Sequence, residues 1–207
     1  MTENITQYAT SDRRILKTRS ALRDAMILLM ERGEFDRASV NELCDTADIN
    51  RGTFYNHYQS KEDLLAVCEA EVLQGLEDVI LDIANLSLSS AIFCLVAKKP
   101  VNAIVQAFEA LKLEGTFLHA VLGPNGDPSF TPVLRECLCE KLVRSILNEQ
   151  YRDSDDPFVN YYIAFYSSAY FGLIMHWIGT GMNESAEEMA LVAARMLFIQ
   201  PGEPISL

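Results

Sequence analysis

The run Asn50-Arg51-Gly52-Thr53-Phe54-Tyr55-Asn56-His57-Tyr58, followed at once by Ser60-Lys61-Glu62-Asp63-Leu64-Leu65, holds the side chains best suited to chemistry. That chemistry is hydrogen bonding to nucleic acid. Asn50 is a good N-cap, able to accept a bond from an orphan amide one turn on. Arg51 and Thr53 then fall in the first helical turn, where side chains reach base edges or phosphates and the helix dipole favours anions. Tyr55, His57 and Tyr58 carry polar tips on rigid bodies, suited to a phosphate oxygen or a thymine methyl. Phe54 is the apolar residue that would hold so short a helix to its neighbours. Ser60 caps the next helix with Asp63 at the reciprocal position, and Lys61 in its first turn is placed for a phosphate.

The elements upstream must position this segment. From Arg13 to Met30 the residues Ile15, Leu16, Leu22, Ala25, Met26, Leu29 and Met30 recur at helical spacing, which predicts an amphipathic helix. Gly33 supplies its left-handed stop. Ser39 opens a second helix with Glu42 three residues on, a capping box, and Val40, Leu43, Cys44 and Ala47 form its buried stripe. Asp48-Ile49-Asn50 then turns the chain into the short helix. Helix, helix, tight turn, helix is the helix-turn-helix pattern, whose second member enters the major groove.

With these residues in place, the stretch from about Arg13 to Glu69 resembles the DNA-binding domain of the TetR family of transcriptional regulators. The matching run is RASVNELCDTADINRGTFYNHYQSKEDLLAV, Arg37 to Val67. The resemblance implies an all-α protein with a three-helix helix-turn-helix domain over residues 1–60, including a disordered arm at about 1–11. A helical effector-binding and dimerisation domain would then occupy residues 61–207. Carried over by position, Ser39, Arg51, Thr53, Tyr55, Asn56, His57, Tyr58 and Lys61 are the expected DNA contacts, and Phe54, Leu43, Val40 and Leu64 the domain core. The expected function is that of a homodimeric repressor released from a palindromic double-stranded operator by a small-molecule effector. Two residues depart from the family pattern. Asp48 stands where relatives usually carry the Gly that a positive φ favours; Asp tolerates that region better than most residues. Asn56 replaces a basic residue common in relatives, which weakens the non-specific phosphate contribution.

A net charge of −12 is unusual for a DNA-binding protein, and its distribution resolves the difficulty. Residues 1–61 hold nine Lys and Arg against nine Asp and Glu, so the remaining eight basic and twenty acidic residues carry the whole excess. Arg13, Arg14, Lys17, Arg19 and Arg23 lead the chain into its first helix, where they could follow a phosphate backbone or minor groove. An acidic body behind a neutral reading domain repels DNA from every other face. Weak, salt-sensitive non-specific binding follows.

Composition bounds the remaining classes. At 207 residues and 49% hydrophobic content, the chain can bury a sizeable core in two domains. Met1 to Ser11 is polar and reads as no signal peptide. Five cysteines, an odd number without framework spacing, point to reduced thiols and a cytoplasmic setting. Cys137 and Cys139, two apart on an expected helix, would face different ways, and with His57, His119 and His176 they offer no metal centre. No cofactor is expected. Paired carboxylates, a nucleophile–base arrangement and a phosphate loop are missing from the pattern, so an all-α enzyme is disfavoured.

The rest of the chain reads as helix: Lys61 to about Ala84, Ser89–Ala97, Val101–Leu113 with Pro100 in its first turn, Thr116–Leu122, Pro132 to Tyr151, and Ala186 to Phe198 behind a Ser185 cap. Gly123 to Pro128 is a loop. From Pro157 to Asn183 there is no charged residue. A membrane span is opposed by Asn160, the tyrosines, two serines and His176 in mid-segment, so the stretch reads as a helix buried on all sides. The family resemblance makes it the penultimate helix, between ligand cavity and partner subunit. Ser168, Ala169, Gly172, Met175, Leu191, Ala194 and Phe198 are the expected dimer contacts. Phe93, Phe108, Phe117, His119, Tyr162, Phe165, Tyr166, Tyr170 and Trp177 are the expected ligand-pocket residues. Trp177 and the stretch GMNESAEEMA also resemble a subgroup that includes activators of dihydroxyacetone kinase operons. Some of those act through a protein partner, so a transcriptional co-activator is the alternative function.

Overall fold

The computed structural model describes residues 2–84, 99–140, 143 and 156–196. Every regular element among them is helical: α1 (Thr2–Glu31), α2 (Val40–Ala47), α3 (Arg51–Tyr55), α4 (Lys61–Ala84), α5 (Asn102–Leu113), α6 (Gly115–Val121), α7 (Phe130–Arg135) running into a π-turn (Glu136–Glu140), α8 (Pro157–Gly179) and α9 (Ala186–Met196). The protein is all-α, with a helix-turn-helix segment followed by a helical body. Two compact units divide it, Met1–Glu71 with Ala120–Asp127, and Val72–His119 with Pro128–Leu207. The boundary therefore falls inside α4, beyond its expected place at Lys61.

In the first unit α1 packs on α2, and α2 on α3. The inward face of α1 carries Leu22, Ala25, Met26, Leu29 and Met30, all buried. Its end is set by Gly33 at φ 68°, whose N–H donates to Met30 O at 2.9 Å while Glu34 N–H donates to Leu29 O at 2.9 Å. These bonds satisfy carbonyls that a helix end leaves open. Ser39 and Glu42 form the expected capping box, and α2 buries Leu43 and Cys44; Val40 is only half-buried. Leu64, Leu65 and Cys68 of α4 are buried in this unit, as is Phe54 of α3. The N-terminal helix runs back to Thr2, so the stretch expected as a disordered arm continues α1.

In the second unit α5 packs on α9, burying Ala103, Val105, Phe108 and Leu111 on one helix and Met189, Ala190, Ala193 and Ala194 on the other. Helix α8 packs on α7 and the π-turn. Asp156 caps it by accepting from Phe158 N–H at 2.9 Å, with Pro157 at the first helical position. Ser185 and Glu188 cap α9 reciprocally. Pro100 lies ahead of α5, whose N-cap is Val101. The π-turn replaces a plain α-helix at Cys137-Leu138-Cys139, and all three residues are buried. The widened turn points both cysteines inward, where uniform helix geometry predicted different faces. No described helix is long and apolar enough to cross a membrane. The expected helix Ser89–Ala97, the end of the one from Pro132 to Tyr151, and Phe93 and Phe198 lie outside the described residues.

Candidate nucleic-acid interface

The turn into α3 depends on one backbone conformation. Asp48, the C-cap of α2, adopts φ 52° and ψ 43°, the left-handed region, and its N–H returns to Asp45 and Cys44 carbonyls. The positive φ expected at this position is therefore present, on a residue that visits it at modest cost. Asn50 then caps α3 by accepting from Gly52 N–H at 2.8 Å. The helix has only 5 residues, Arg51–Tyr55, and His57 and Tyr58 donate their amides back to Phe54 O at 2.9 Å.

This short element is held from behind by Phe54, which is fully buried, with its ring edge-on to Tyr55 at 5.4 Å and tilted on Tyr58 at 5.8 Å. Burying such a ring contributes about 1.5–3 kcal/mol. With Phe54 inside, Arg51, Tyr55 and Asn56 are exposed, and Thr53 and His57 are half-buried. Arg51 and Tyr55 form a pair on this outer face. The guanidinium donates to the Tyr55 hydroxyl at 3.3 Å, and its carbon lies 5.3 Å from the ring centroid. One face therefore presents a cation, two hydroxyls, an amide and an imidazole, all able to bond base edges or phosphates.

Three expected contacts are engaged within the unit. Ser39 is exposed, but its hydroxyl donates to the Glu42 carboxylate at 2.8 Å and accepts from Glu42 N–H. Tyr58 is only 4% exposed and accepts from Arg19 Nε at 3.2 Å. Burial pushes its phenol above the ordinary tyrosine value. Lys61 donates to the carbonyls of Phe35 at 2.6 Å and Asp36 at 2.8 Å, with its ammonium 5.0 Å from the Phe35 ring centroid. Arg19, counted among the basic residues leading into α1, is bound to Tyr58 and Glu71. Arg13, Arg14 and Lys17 are exposed. Nothing in the sequence pattern distinguished Arg19 from them; only the packing of α1 against Tyr58 does.

The expected ligand residues separate into groups. Phe108 and Trp177 are buried and meet edge-on at 5.3 Å; Phe117, also buried, meets Phe130 at 6.5 Å. Both pairs belong to the core, and Phe130 escaped notice because its partner is defined only by folding. Trp177 is 1% exposed, and its indole N–H has no hydrogen-bond partner. Tyr162, Tyr166 and Tyr170 make a half-buried ladder at four-residue spacing on α8. The first two rings stand 4.5 Å apart, and Tyr170 donates to Ala193 O at 3.2 Å. Burial raises the phenols of Tyr162 and Tyr170 and pushes the neighbouring Cys139 thiol up to about 12. His119 is exposed, and Phe165 is 68% exposed, so neither lines an enclosed space. Of the expected dimer contacts, Ser168, Ala169 and Gly172 are exposed, Met175 and Leu191 half-buried, and Ala194 is buried in the chain's own core.

Residues 21–68 match the family model for bacterial regulatory proteins of the tetR family, and residues 98–198 match that for a transcriptional regulator C-terminal region. The uncharacterized HTH-type transcriptional regulator YxbF of Bacillus subtilis is 38% identical over 55 residues, 26% of this chain and 14% of that protein. The match thus spans a small part of that relative. A candidate fatty acid metabolism regulator of Clostridium perfringens has a similar fold, with TM-score 0.63 at 17% identity over 90% of this chain and all of the other. The dihydroxyacetone kinase operon activator DhaS gives TM-score 0.51 at 20% identity, covering 87% and 93% of the two chains. At such identity these structures speak for the fold alone.

Proposed function

The chain belongs to the TetR family of DNA-binding transcriptional regulators, and we propose that it acts as a homodimeric repressor that a small molecule releases from a palindromic operator. The carrying observation is the outer face of α3, where Arg51, Thr53, Tyr55, Asn56 and His57 stand together over a buried Phe54. So short a helix makes too few base contacts for useful specificity by itself. Two copies, spaced roughly 34–36 Å apart, read successive major grooves.

The dimer surface proposed is a stripe on α8. Phe158, Tyr161 and Phe165 are 73%, 76% and 68% exposed, and Ser168 and Gly172 continue their face at helical spacing. Exposed aromatics in line mark an interface, and the small residues allow a second α8 to approach closely. Phe165 is accordingly reassigned from ligand pocket to dimer contact. For the effector, the half-buried Tyr162 and Tyr166 supply aromatic surface and the buried, unpartnered Trp177 N–H a donor, while the Tyr170 hydroxyl is already held by Ala193 O. Release requires that the effector favour the non-binding state by about 3 kcal/mol for a shift of two decades.

Selection of bound sequences from a random duplex pool tests the proposal, with Tyr55→Ala as control. Recovery of a palindrome by the native chain and not by the variant is the expected result. No enrichment at low salt would transfer the function to the co-activator reading, in which a protein partner is the target.

A further inference from the structure

Arg51 and Tyr55 stand one helical turn apart on the outer face of α3 and are joined in two ways. Arg51 Nη2 donates to the Tyr55 hydroxyl at 3.3 Å, and the guanidinium carbon lies 5.3 Å from the ring centroid. Tyr55 is itself braced, edge-on at 5.4 Å to Phe54, which is fully buried. The bracing therefore runs outward from the core, through one ring to the next and so to the cation. An arginine side chain in water samples many rotamers, and ordering it on binding costs entropy. Here much of that ordering precedes any encounter with DNA.

The other cations around α3 are employed differently. Arg19 is bound to Tyr58 and Glu71, and the Lys61 ammonium sits on the Phe35 and Asp36 carbonyls. Arg51 is exposed, opens α3 directly behind the Asn50 cap, and is followed by Gly52, which adds no side chain beside it. In a helix-turn-helix the first residues of the recognition helix are those that meet base edges in the major groove.

Hydrogen-bond chemistry then selects the base. A guanidinium only donates, through N–H groups set in a planar fork, and has no acceptor. Guanine alone offers two acceptors, N7 and O6, side by side on its major-groove edge. Adenine pairs an acceptor with a donor, cytosine presents a donor, and thymine sets one acceptor beside a methyl.

We infer that Arg51 reads a guanine in each operator half-site, and that Tyr55 is the positioning residue that holds it for that base. The inference rests on the proposed operator reading and deepens it, by naming the base and the side chain that selects it.

The test uses the full chain and the duplex selected from a random pool. Each guanine of the palindrome is replaced in turn by 7-deazaguanine, which lacks the N7 acceptor and leaves the phosphates untouched. At one symmetric position the native chain should lose about fivefold in affinity per half-site, one bond of a bidentate pair. Arg51→Ala should bind both duplexes equally. Arg51→Gln, whose amide matches adenine, should select adenine at that position and keep the rest of the palindrome. Tyr55→Phe keeps the ring without the hydroxyl and should lower the preference for guanine over 7-deazaguanine about twofold. A palindrome indifferent to every 7-deazaguanine, or a guanine retained there by Arg51→Gln, would overturn the inference and leave the operator reading standing. An unchanged preference in Tyr55→Phe would overturn the role of Tyr55. No enriched duplex at all would overturn the operator reading and this inference with it.

Discussion

Replacing Lys61 by Met separates two roles that the sequence assigned to one side chain. Position suggested a phosphate contact; packing makes Lys61 a staple, only 13% exposed, with its ammonium on the Phe35 and Asp36 carbonyls. Hydrogen bonds to a charged donor contribute about 1.5–3 kcal/mol each when desolvated. The bond to the Asp36 carbonyl is exposed and can be replaced by water, whereas that to Phe35 is partly buried, which brings the combined loss to roughly 2 kcal/mol. Met preserves the chain's packing on Phe35, so the loss comes from the ammonium. In a unit of this size each kcal/mol shifts Tm by about 4–8 °C. Thermal unfolding followed by circular dichroism should therefore show a fall of about 10 °C for the variant. The salt dependence of binding to the selected duplex supplies the second reading. A phosphate contact contributes about 0.9 to the slope of log K against log salt. We expect that slope to be unchanged. An unaltered Tm with a slope reduced by about 0.9 would refute the staple argument and restore Lys61 to the interface.

Three further outcomes follow from the same geometry. Phe54→Ala removes a fully buried ring from behind α3 and should cost about 3–5 kcal/mol in urea unfolding, abolishing operator recognition with it. Asp48→Gly should leave the fold intact, whereas Asp48→Val, β-branched at φ 52°, should cost about 1–2 kcal/mol by the same assay. Phe165→Glu places a charge on the α8 stripe; sedimentation should report monomers that keep their helix content, and an unaffected dimer would move the interface elsewhere.

The N-terminal segment was legible because its signals are local. Gly33, Ser39 with Glu42, Asn50 and Ser60 are stops and caps whose partners lie within a few residues, so sequence spacing specifies geometry directly. Even there one bond differs, since the Asp63 carboxylate accepts from Gln59 N–H rather than closing the box on Ser60. Long-range facts were not legible. The burial of Tyr58 under Arg19, and the use of Lys61 against a loop 25 residues away, depend on how helices cross. In α8 the absence of charge announced burial without saying against what: Phe158, Tyr161 and Phe165 are exposed on the single chain, on the face proposed for a partner copy, while Trp177 is buried within it. A nearly uniform apolar helix carries no polar face to orient it. The π-turn at Glu136–Glu140 was missed for a related reason: its residues, ECLCE, contain no Gly or Pro to signal a break in helical register.

A helix of 5 residues anchored by one inward ring has a consequence for recognition. Isolated helices this short do not persist in water, so α3 owes its shape to Phe54, the Asn50 cap and the left-handed Asp48, none of which stands on its outer face. The outward positions 51, 53, 55 and 56 are correspondingly released from structural duty. On the proposed reading, substitutions at those positions alter operator recognition while the packing beneath keeps its form. The surface that would recognise and the mount that shapes it are thus separable, so a few substitutions at the former need not disturb the latter.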